Sequence, residues 1–275
     1  MERNKKRFLT VLMVVITLIM VFPFAWMLML SFKSSGEIMS SPLALPASLA
    51  LDNYQNALQT LNFVQLYSNT FLICVLSLGF ELVITFLSSF VLARMEFRNL
   101  RIRNLVYRYL ILGLSVSPFI LLFPVYKINI FFGLRGKWAL VLPYVATSIS
   151  FNTLLLVGYL KALPKEIDEA AIIDGCNVWD LMLRIVLPMS KPVIATIVIF
   201  NVLYIWNEFP FASVMLRDAS DFTLSMGTSF FKGTYTVDYG GIVATSVMII
   251  IPELIFYGLF QKYIVEGMTA GAVKG

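Results

Sequence analysis

Residues 161–192 read KALPKEIDEAAIIDGCNVWDLMLRIVLPMSKP and separate two long apolar segments of the chain. Neighbouring helices of a bundle are usually joined by roughly two to eight residues, so this segment must form a structure of its own. Pro164 suits the first turn of a helix, acidic side chains follow where the helix dipole favours negative charge, and Gly175 is a natural C-terminal stop. The sequence therefore predicts a short helix from about residue 164 to 174.

One face of this predicted helix is small and largely apolar. Its members, which recur at helical spacing, are Ile167, Ala170, Ala171 and Asp174. Adjacent alanines would let the backbone of another protein approach closely, and a second amphipathic stretch, residues 178–186, leads back towards the next apolar segment. We interpret residues 161–191 as a helix, turn and helix on the cytoplasmic side that presents a shallow surface to a partner. The alternative is a re-entrant or interfacial hairpin that packs only on its own chain.

The chain as a whole is too apolar for an ordinary water-soluble protein. Of its 275 residues 59% are hydrophobic and 13% are charged, whereas about a quarter of residues are charged in an average soluble domain. A bilayer core takes about 20 apolar helical residues to cross. Six apolar runs are long enough, at residues 8–32, 70–93, 105–126, 138–160, 192–216 and 241–262. We therefore predict an all-α, polytopic membrane protein in which residues 1–275 form one domain with six transmembrane helices.

The distribution of Lys and Arg predicts the orientation of these spans. With the N-terminus inside, fifteen of the 21 basic residues fall in inner segments, which is the distribution that the positive-inside rule favours. Both termini are then cytoplasmic. The first run is longer than the apolar core of a signal peptide, about 7 to 15 residues, so we expect it to be retained. The chain is thus predicted to be a multi-pass protein of the bacterial cytoplasmic (inner) membrane, in contact with lipid and not with nucleic acid.

Two predicted outer segments, residues 33–69 and 217–240, are longer than a tight connection needs. The first contains two prolines and a short helical pattern near residues 52–61, and the second is rich in Gly, Ser, Thr and Tyr. Long loops of compact proteins are often functional. Both segments are therefore candidate docking surfaces for an external partner, and the alternative is that they are solvated connectors.

Seven residues of the 161–192 loop form a pattern of EAA, three residues, G, nine residues, I, one residue and LP. They are Glu169, Ala170, Ala171, Gly175, Ile185, Leu187 and Pro188. This pattern resembles the cytoplasmic signature of binding-protein-dependent ABC importer permeases. Further segments are similar to the carbohydrate branch of that family, in particular its maltose-type permease subunit, although Cys176 stands where the family often has Ala. They are DGCN (174–177), LPMSKP (187–192), WNEF (206–209) and QKYIVEGMTAGAVKG (261–275).

The resemblance implies a permease that carries a carbohydrate, such as a di- or oligosaccharide, while separate subunits hydrolyse ATP. It implies that the loop helix couples the chain to an ATPase, with the contact made by Glu169, Ala170, Ala171, Asp174 and Gly175. The remaining coupling residues that it implies are Ile185, Leu187 and Pro188. It also implies four partners, namely a second permease subunit, two ATP-binding subunits that use ATP and magnesium, and an extracytoplasmic sugar-binding protein. The tail of residues 267–275 resembles the segment that reaches into the interface between the ATPase subunits in maltose-type permeases.

Several polar residues lie inside or next to the predicted spans. Glu81 and Glu253 are surrounded by apolar sequence, where an ionised group is costly unless it is paired or faces a wet cavity. We favour an interhelical hydrogen bond for each over a place on a transport path, because a neutral sugar needs no counter-charge. Amides and aromatic faces suit a pore for a polyhydroxylated solute, although an outer aromatic belt would look similar. The candidate pathway residues are Asn201, Tyr204, Asn207 and Glu208.

No phosphate-binding loop is recognisable in the sequence, because Gly136 and Lys137 are followed by Trp138 where Ser or Thr must hold magnesium. Histidine, the most common general base, is absent. We therefore expect no enzymatic activity, no cofactor and no metal on this chain, and ATP hydrolysis by a partner. One alternative is an ion-coupled secondary transporter, which would call for charges at a midplane site or inverted repeats. Another is a membrane-embedded enzyme, for which no nucleophile and base pair is recognisable.

Overall fold

The computed structural model describes residues 2–49 and 51–272. Their regular structure is helical apart from an isolated antiparallel bridge between Lys232 and Val237, which confirms the all-α prediction. The α-helices are α1 (Glu2–Leu30), α2 (Ser35–Ser40), α3 (Asp52–Thr60), α4 (Phe63–Arg94), α5 (Leu100–Leu112), α6 (Pro118–Phe131), α7 (Trp138–Ala162), α8 (Glu166–Ile173), α9 (Val178–Asp180), α10 (Leu187–Met189), α11 (Lys191–Asn207), α12 (Pro210–Met215) and α13 (Tyr239–Ala272). A π-helical turn covers Leu181–Val186, and 3₁₀ turns cover Gly113–Ser115, Ala219–Asp221 and Leu224–Phe231.

Four of the described helices are long and apolar enough to cross a membrane. They comprise Asn4–Leu30, Phe63–Arg94, Trp138–Ala162 and Tyr239–Tyr263. Two pairs of helices reach the required length only when they are combined. These pairs are Leu100–Ser115 with Pro118–Phe131, bent by 105°, and Val178–Met189 with Lys191–Asn207, bent by 69°. The described chain thus contains four to six candidate spans, and the number six and the orientation of the termini stay predictions.

The predicted third span, residues 105–126, is not one continuous helix. α5 ends at Leu112, a 3₁₀ turn follows, and α6 begins at Pro118. Proline lacks a backbone N–H and disfavours the helical conformation in the residue before it. Accordingly, Ser117 has an extended ψ of 132°. The chain therefore bends sharply within this apolar segment.

The predicted fifth span, residues 192–216, is interrupted in a similar way. α11 ends at Asn207, Glu208 is extended with ψ of 110°, and a separate short helix begins at Pro210. Pro210 could not donate the next helical hydrogen bond, and its ring would clash with the carbonyl four residues earlier. The interruption leaves Glu208 two residues before the start of α12.

The chain divides into two compact units, of which the first comprises residues 1–63 and 226–252. Within this unit, the carboxylate of Asp238 accepts hydrogen bonds from Ser35 Oγ at 2.9 Å and from Asn56 Nδ2 at 3.0 Å. It also accepts one from the backbone N–H of Gly241 at 3.0 Å. These bonds attach the start of α13 to α2 and α3. α3 is the helix that the sequence predicts near residues 52–61.

The second unit comprises residues 64–225 and 253–275. Side chains of α4, α7 and α11 and of the segment between α8 and α11 share one apolar core. Its buried members are Phe86, Phe90, Leu156, Leu160, Met182, Val186, Val193 and Ile197. The second half of the 161–191 loop is therefore packed on the long helices of this unit.

Candidate functional site

α8 is the helix that the sequence predicts in the 161–192 loop, and it ends in a Schellman motif. The N–H of Cys176 donates to the carbonyl of Ala171 at 2.9 Å, and the N–H of Gly175 donates to the carbonyl of Ile172 at 3.0 Å. This motif needs a residue in the left-handed conformation, and Gly175 has φ of 80°. The predicted role of Gly175 as the helix stop is confirmed.

Arg94, the last residue of α4, holds α8 against the end of α7. Its Nη1 donates to the carbonyls of Leu160 at 3.2 Å and Leu163 at 2.9 Å. Its Nη2 donates to the carbonyl of Pro164 at 3.0 Å and to the carboxylate of Asp168 at 2.9 Å. The Arg94 side chain is only 3% exposed, so these charge-assisted bonds form away from water and hold α7, the connection and α8 together. Pro164, which the sequence predicts in the first helical turn, instead precedes α8.

The guanidinium contact also sets the rotation of α8 about its own axis. Asp168 faces the guanidinium, and Ala171, three residues later, lies on the same side and is 4% exposed. The outward side of α8 instead carries Glu169, Ala170 and Ile173. The prediction that both alanines face a partner is therefore wrong for Ala171, which packs inside this chain.

The 161–192 loop exposes several large apolar side chains, which we call the loop patch. The patch consists of Ile172, Ile173, Val178, Trp179 and Leu183. Ile173 alone is 84% exposed. Apolar groups concentrated on an exposed loop often mark a protein contact. The sequence does not identify these residues as a contact surface, because their exposure depends on how the loop packs against the long helices.

The last three signature residues lie in the return segment after α8. Leu187 packs against the shared core, next to the buried side chains of Met182 and Val186. Ile185 is half-buried and Pro188 is exposed. Part of the signature therefore attaches the loop to the long helices.

The second unit also contains a cavity of about 480 Å³. Apolar residues of α6 and of the turn before it form one side, and α7 and α11 contribute polar and aromatic groups. The latter include Thr147, Ser148, Phe151, Phe200, Asn201 and Tyr204. The rings of Phe151 and Phe200 meet edge to face, with centroids 5.6 Å apart. Pockets for small molecules typically have about 300–1,000 Å³, apolar walls and a few polar groups, so this cavity has the size and lining of a binding site.

Of the four predicted pathway residues, Asn201 and Tyr204 line this cavity. Glu208 instead uses its carboxylate inside the protein, where Oε2 accepts a hydrogen bond from the hydroxyl of Tyr144 at 2.7 Å. Its Oε1 accepts one from the backbone N–H of Phe211 at 2.7 Å. Glu208 therefore caps the N-terminus of α12, where negative charge is favourable.

The two acidic residues predicted inside spans have different surroundings. The carboxylate of Glu253 accepts a hydrogen bond from Nδ2 of Asn207, which confirms the predicted bond between helices and gives Asn207 a partner outside the cavity lining. Glu81 is 0% exposed, and neither of its carboxylate oxygens has a hydrogen-bond partner among the described residues. An interhelical hydrogen bond is therefore not confirmed for Glu81.

Residues 84–270 match the family model described as binding-protein-dependent transport system inner membrane component. The chain is 32% identical over 266 residues to a diacetylchitobiose uptake system permease of Streptomyces coelicolor, covering 96% of this chain and 87% of that protein. It is 34% identical over 280 residues to a trehalose/maltose transport system permease of Thermococcus litoralis, covering 100% and 99% of the two chains.

The fold is similar to that of a chain in the crystal structure of a bacterial ABC transporter that imports the acidic polysaccharide alginate. The TM-score is 0.79 at 21% sequence identity, and the match covers 95% of this chain and 97% of that chain. At this identity the likeness supports the fold alone.

Replacing Arg94 with Ala should release α8 from the end of α7. The substitution leaves buried carbonyls and the Asp168 carboxylate without their donor, at a cost of about 2–4 kcal/mol. We expect hydrogen–deuterium exchange of the backbone amides of residues 164–175 to become at least about tenfold faster. Arg94→Lys, which keeps the charge but not the planar set of donors, should have an intermediate effect.

Arg101→Ala is the matched control, because Arg101 follows in the next helix and its side chain is exposed. It should leave exchange in residues 164–175 unchanged. Equal exchange rates in Arg94→Ala and the unaltered protein would show that Arg94 does not hold α8.

Proposed function

This chain belongs to the family of binding-protein-dependent transport system inner membrane components, and we propose that it is the carbohydrate-conducting permease subunit of an ABC importer. As a member of that family it is a multi-pass inner membrane protein. The observation that carries the proposal is the attachment of α8 to α4 and α7 through Arg94, next to an exposed apolar patch. A separate motor that binds this loop could thereby move the long helices.

The motor would be a pair of ATP-binding subunits that use ATP and magnesium. We propose that they bind the outward side of α8, with Glu169, Ala170, Asp174 and Gly175 in the contact and the loop patch around them. Glu169 can pair with a basic group of the partner, and the exposed apolar side chains can be buried against it. Four other predicted coupling residues would act from within this chain by holding the loop in place. They are Ala171, Ile185, Leu187 and Pro188.

Movement of α8 can be transmitted to the cavity by a single helix, α7. Ser148 and Phe151 line the cavity, and the carbonyl of Leu160, further along the same helix, accepts a hydrogen bond from Arg94. The distance from Ser148 to Leu160 along an α-helix is about 18 Å. Binding and release of the motor would therefore tilt one wall of the cavity, which is how alternating access to the two sides of the membrane would arise.

The transported solute would be a neutral di- or oligosaccharide. A sugar offers hydroxyl groups for Asn201 and apolar ring faces for Tyr204 and Phe151, all of which line the cavity. The names of the similar permeases support the same class, since those proteins carry diacetylchitobiose, and trehalose or maltose.

The remaining partners would be a second permease subunit and an extracytoplasmic sugar-binding protein. The second permease, similar to this chain but distinct from it, would complete a translocation path of which this chain supplies half. The binding protein would dock on the outer segments, residues 33–69 and 217–240, and deliver the sugar to the path.

The topology would comprise six spans in one permease domain, with both termini in the cytoplasm. The charge distribution supports this orientation. The two interrupted apolar runs, residues 105–126 and 192–216, would each count as one span beside the four long helices, which gives six in all. The loop with α8 then lies on the cytoplasmic side, where ATP is available.

Vesicles that contain the complete transporter should import a sugar only when ATP is supplied on the side of the ATPases. Maltose, trehalose and diacetylchitobiose are the probes, offered with the binding protein. We expect uptake of at least one of them to fall at least about tenfold when a non-hydrolysable ATP analogue replaces ATP. Uptake driven by an ion gradient without ATP would overturn the proposal and favour a secondary transporter.

Replacing Gly175 with Asp should uncouple the motor from the permease. An L-residue at φ of 80° costs roughly 1–2 kcal/mol, and a negative charge is unfavourable at the C-terminus of α8. Sugar-stimulated ATP hydrolysis and uptake should both fall at least about tenfold. Gly175→Asn is the matched control, because Asn has the same size without the charge and tolerates this conformation. Normal uptake with Gly175→Asp would contradict the proposed contact.

Cysteine labelling in spheroplasts should reveal the orientation. Cys176 next to α8 is half-exposed, whereas Cys74 is buried and should not react. With the chain expressed without its partners, a membrane-impermeant maleimide should label Cys176 only after permeabilisation. Tyr235→Cys, at a position that is 97% exposed in the predicted outer segment, should be labelled in sealed spheroplasts. The reverse pattern would show that the termini lie outside.

A further inference from the structure

Glu81 is a buried acidic residue for which the proposed transport cycle has no role. It lies in the middle of α4 and is 0% exposed, and neither carboxylate oxygen has a hydrogen-bond partner among the residues that the structure describes. A carboxyl group in this position is strongly unfavourable unless donors are available to it. Its immediate neighbours therefore determine what it can do.

Two donors on α7 are available to this carboxyl group. It faces the side chains of Ser148 and Asn152. Within the described residues, Ser148 Oγ and Asn152 Nδ2 are themselves buried without a hydrogen-bond partner. The two carboxyl oxygens of Glu81 thus lie against one hydroxyl donor and one amide donor, and neither donor has a hydrogen-bond partner among the described residues. Small side-chain adjustments would pair all three groups.

Asn152 connects the surroundings of Glu81 to Asn201, a residue of the cavity lining. Its Oδ1 accepts a hydrogen bond from Nδ2 of Asn201 at 2.9 Å. Nδ2 of Asn201 also donates to the carbonyl of Ile197 at 2.9 Å. Both amide hydrogens of Asn201 are therefore engaged, and Oδ1 is its remaining polar atom. Because Asn201 lines the cavity, its amide can contribute an acceptor there.

We propose that Glu81 is a positioning residue that sets the hydrogen-bonding character of the cavity wall. By accepting a hydrogen bond from Nδ2 of Asn152, Glu81 keeps Oδ1 of Asn152 turned towards Asn201. That contact in turn keeps Oδ1 of Asn201 available as an acceptor for a hydroxyl hydrogen of the carbohydrate. The inference rests on the proposed function, because it takes the cavity as part of the sugar path.

We call the hydrogen-bonded series from Glu81 through Asn152 to Asn201 the relay. It matters because an asparagine amide can present either its acceptor oxygen or its donor NH₂ group. Without an acceptor at Glu81, the amide of Asn152 can turn over and direct its NH₂ group at Asn201. Asn201 must then turn as well, and the cavity would present a donor instead of an acceptor. A cavity with the acceptor selects a sugar that has a free hydroxyl at this point over one whose oxygen there is alkylated.

The test uses the complete transporter in vesicles, with whichever of maltose, trehalose and diacetylchitobiose the unaltered protein imports fastest. The readout is the number of sugar molecules imported per ATP hydrolysed at saturating binding protein. Glu81→Leu removes the acceptor, and Asn201→Ala removes the group that contacts the sugar. Each should lower the ratio about five- to tenfold, the effect of one hydrogen bond, while ATP hydrolysis persists. A folding defect would lower ATP hydrolysis as well.

The double variant Glu81→Leu/Asn201→Ala shows whether the two residues act through one another. If they do, the double variant should lower the ratio of sugar imported to ATP hydrolysed no more than Asn201→Ala alone does, whereas independent effects would multiply. Glu81→Gln keeps an oxygen acceptor for Asn152 and should change the ratio less than about twofold. Should Glu81→Leu fail to assemble, Asn152→Ala interrupts the same relay and should give the same loss.

Ser89→Ala is the control, since Ser89 is a buried side chain of the same helix whose Oγ has no hydrogen-bond partner among the described residues, and it should leave the ratio unchanged. An unchanged ratio in Glu81→Leu, or multiplied losses in the double variant, would overturn the relay. If the unaltered transporter imports none of the three sugars with ATP, the proposed function fails instead, so the two failures can be told apart.

Discussion

The guanidinium group of Arg94 interacts with three parts of the second unit at once. Three backbone carbonyls and one carboxylate surround it, and a buried cation is tolerated only when such acceptors are well placed. The carbonyls belong to the end of α7 and to the connection after it, and the carboxylate belongs to α8. The position and rotation of α8, and therefore which residues it exposes, follow from this contact.

The interruptions of the apolar segments are also constrained, because their backbone polar groups must be satisfied inside the protein. Irregular backbone at membrane depth is tolerated where it is buried in protein or lines a cavity. The turn at Gly113–Ser115 contributes to the cavity lining, and the break after α11 is closed by Glu208, which caps α12. Both bends are made where proline prevents a straight helix.

Local chemistry explains which site features were predictable. Gly175 could be identified as a helix stop because a Schellman motif depends on a few neighbouring residues and one backbone conformation. The acidic first turn of α8 was predictable because the helix dipole favours negative charge near a helix N-terminus. Arg94 gave no such signal, because its partner Asp168 is 74 positions away. The inward turn of Ala171 and the capping role of Glu208 also depend on contacts with distant helices, so spacing within the sequence could not reveal them.

The sequence by itself determined that the chain is helical and apolar enough for a membrane, and that its 161–192 loop carries the signature of its family. These properties follow from hydropathy over single segments and from fixed local spacing. Only the tertiary structure decided which side of α8 faces outward, which polar residues share the cavity, and that Glu81 faces Asn152. Each of these depends on the relative rotation of separate helices, which is set by packing and buried hydrogen bonds and not by the periodicity of any one helix.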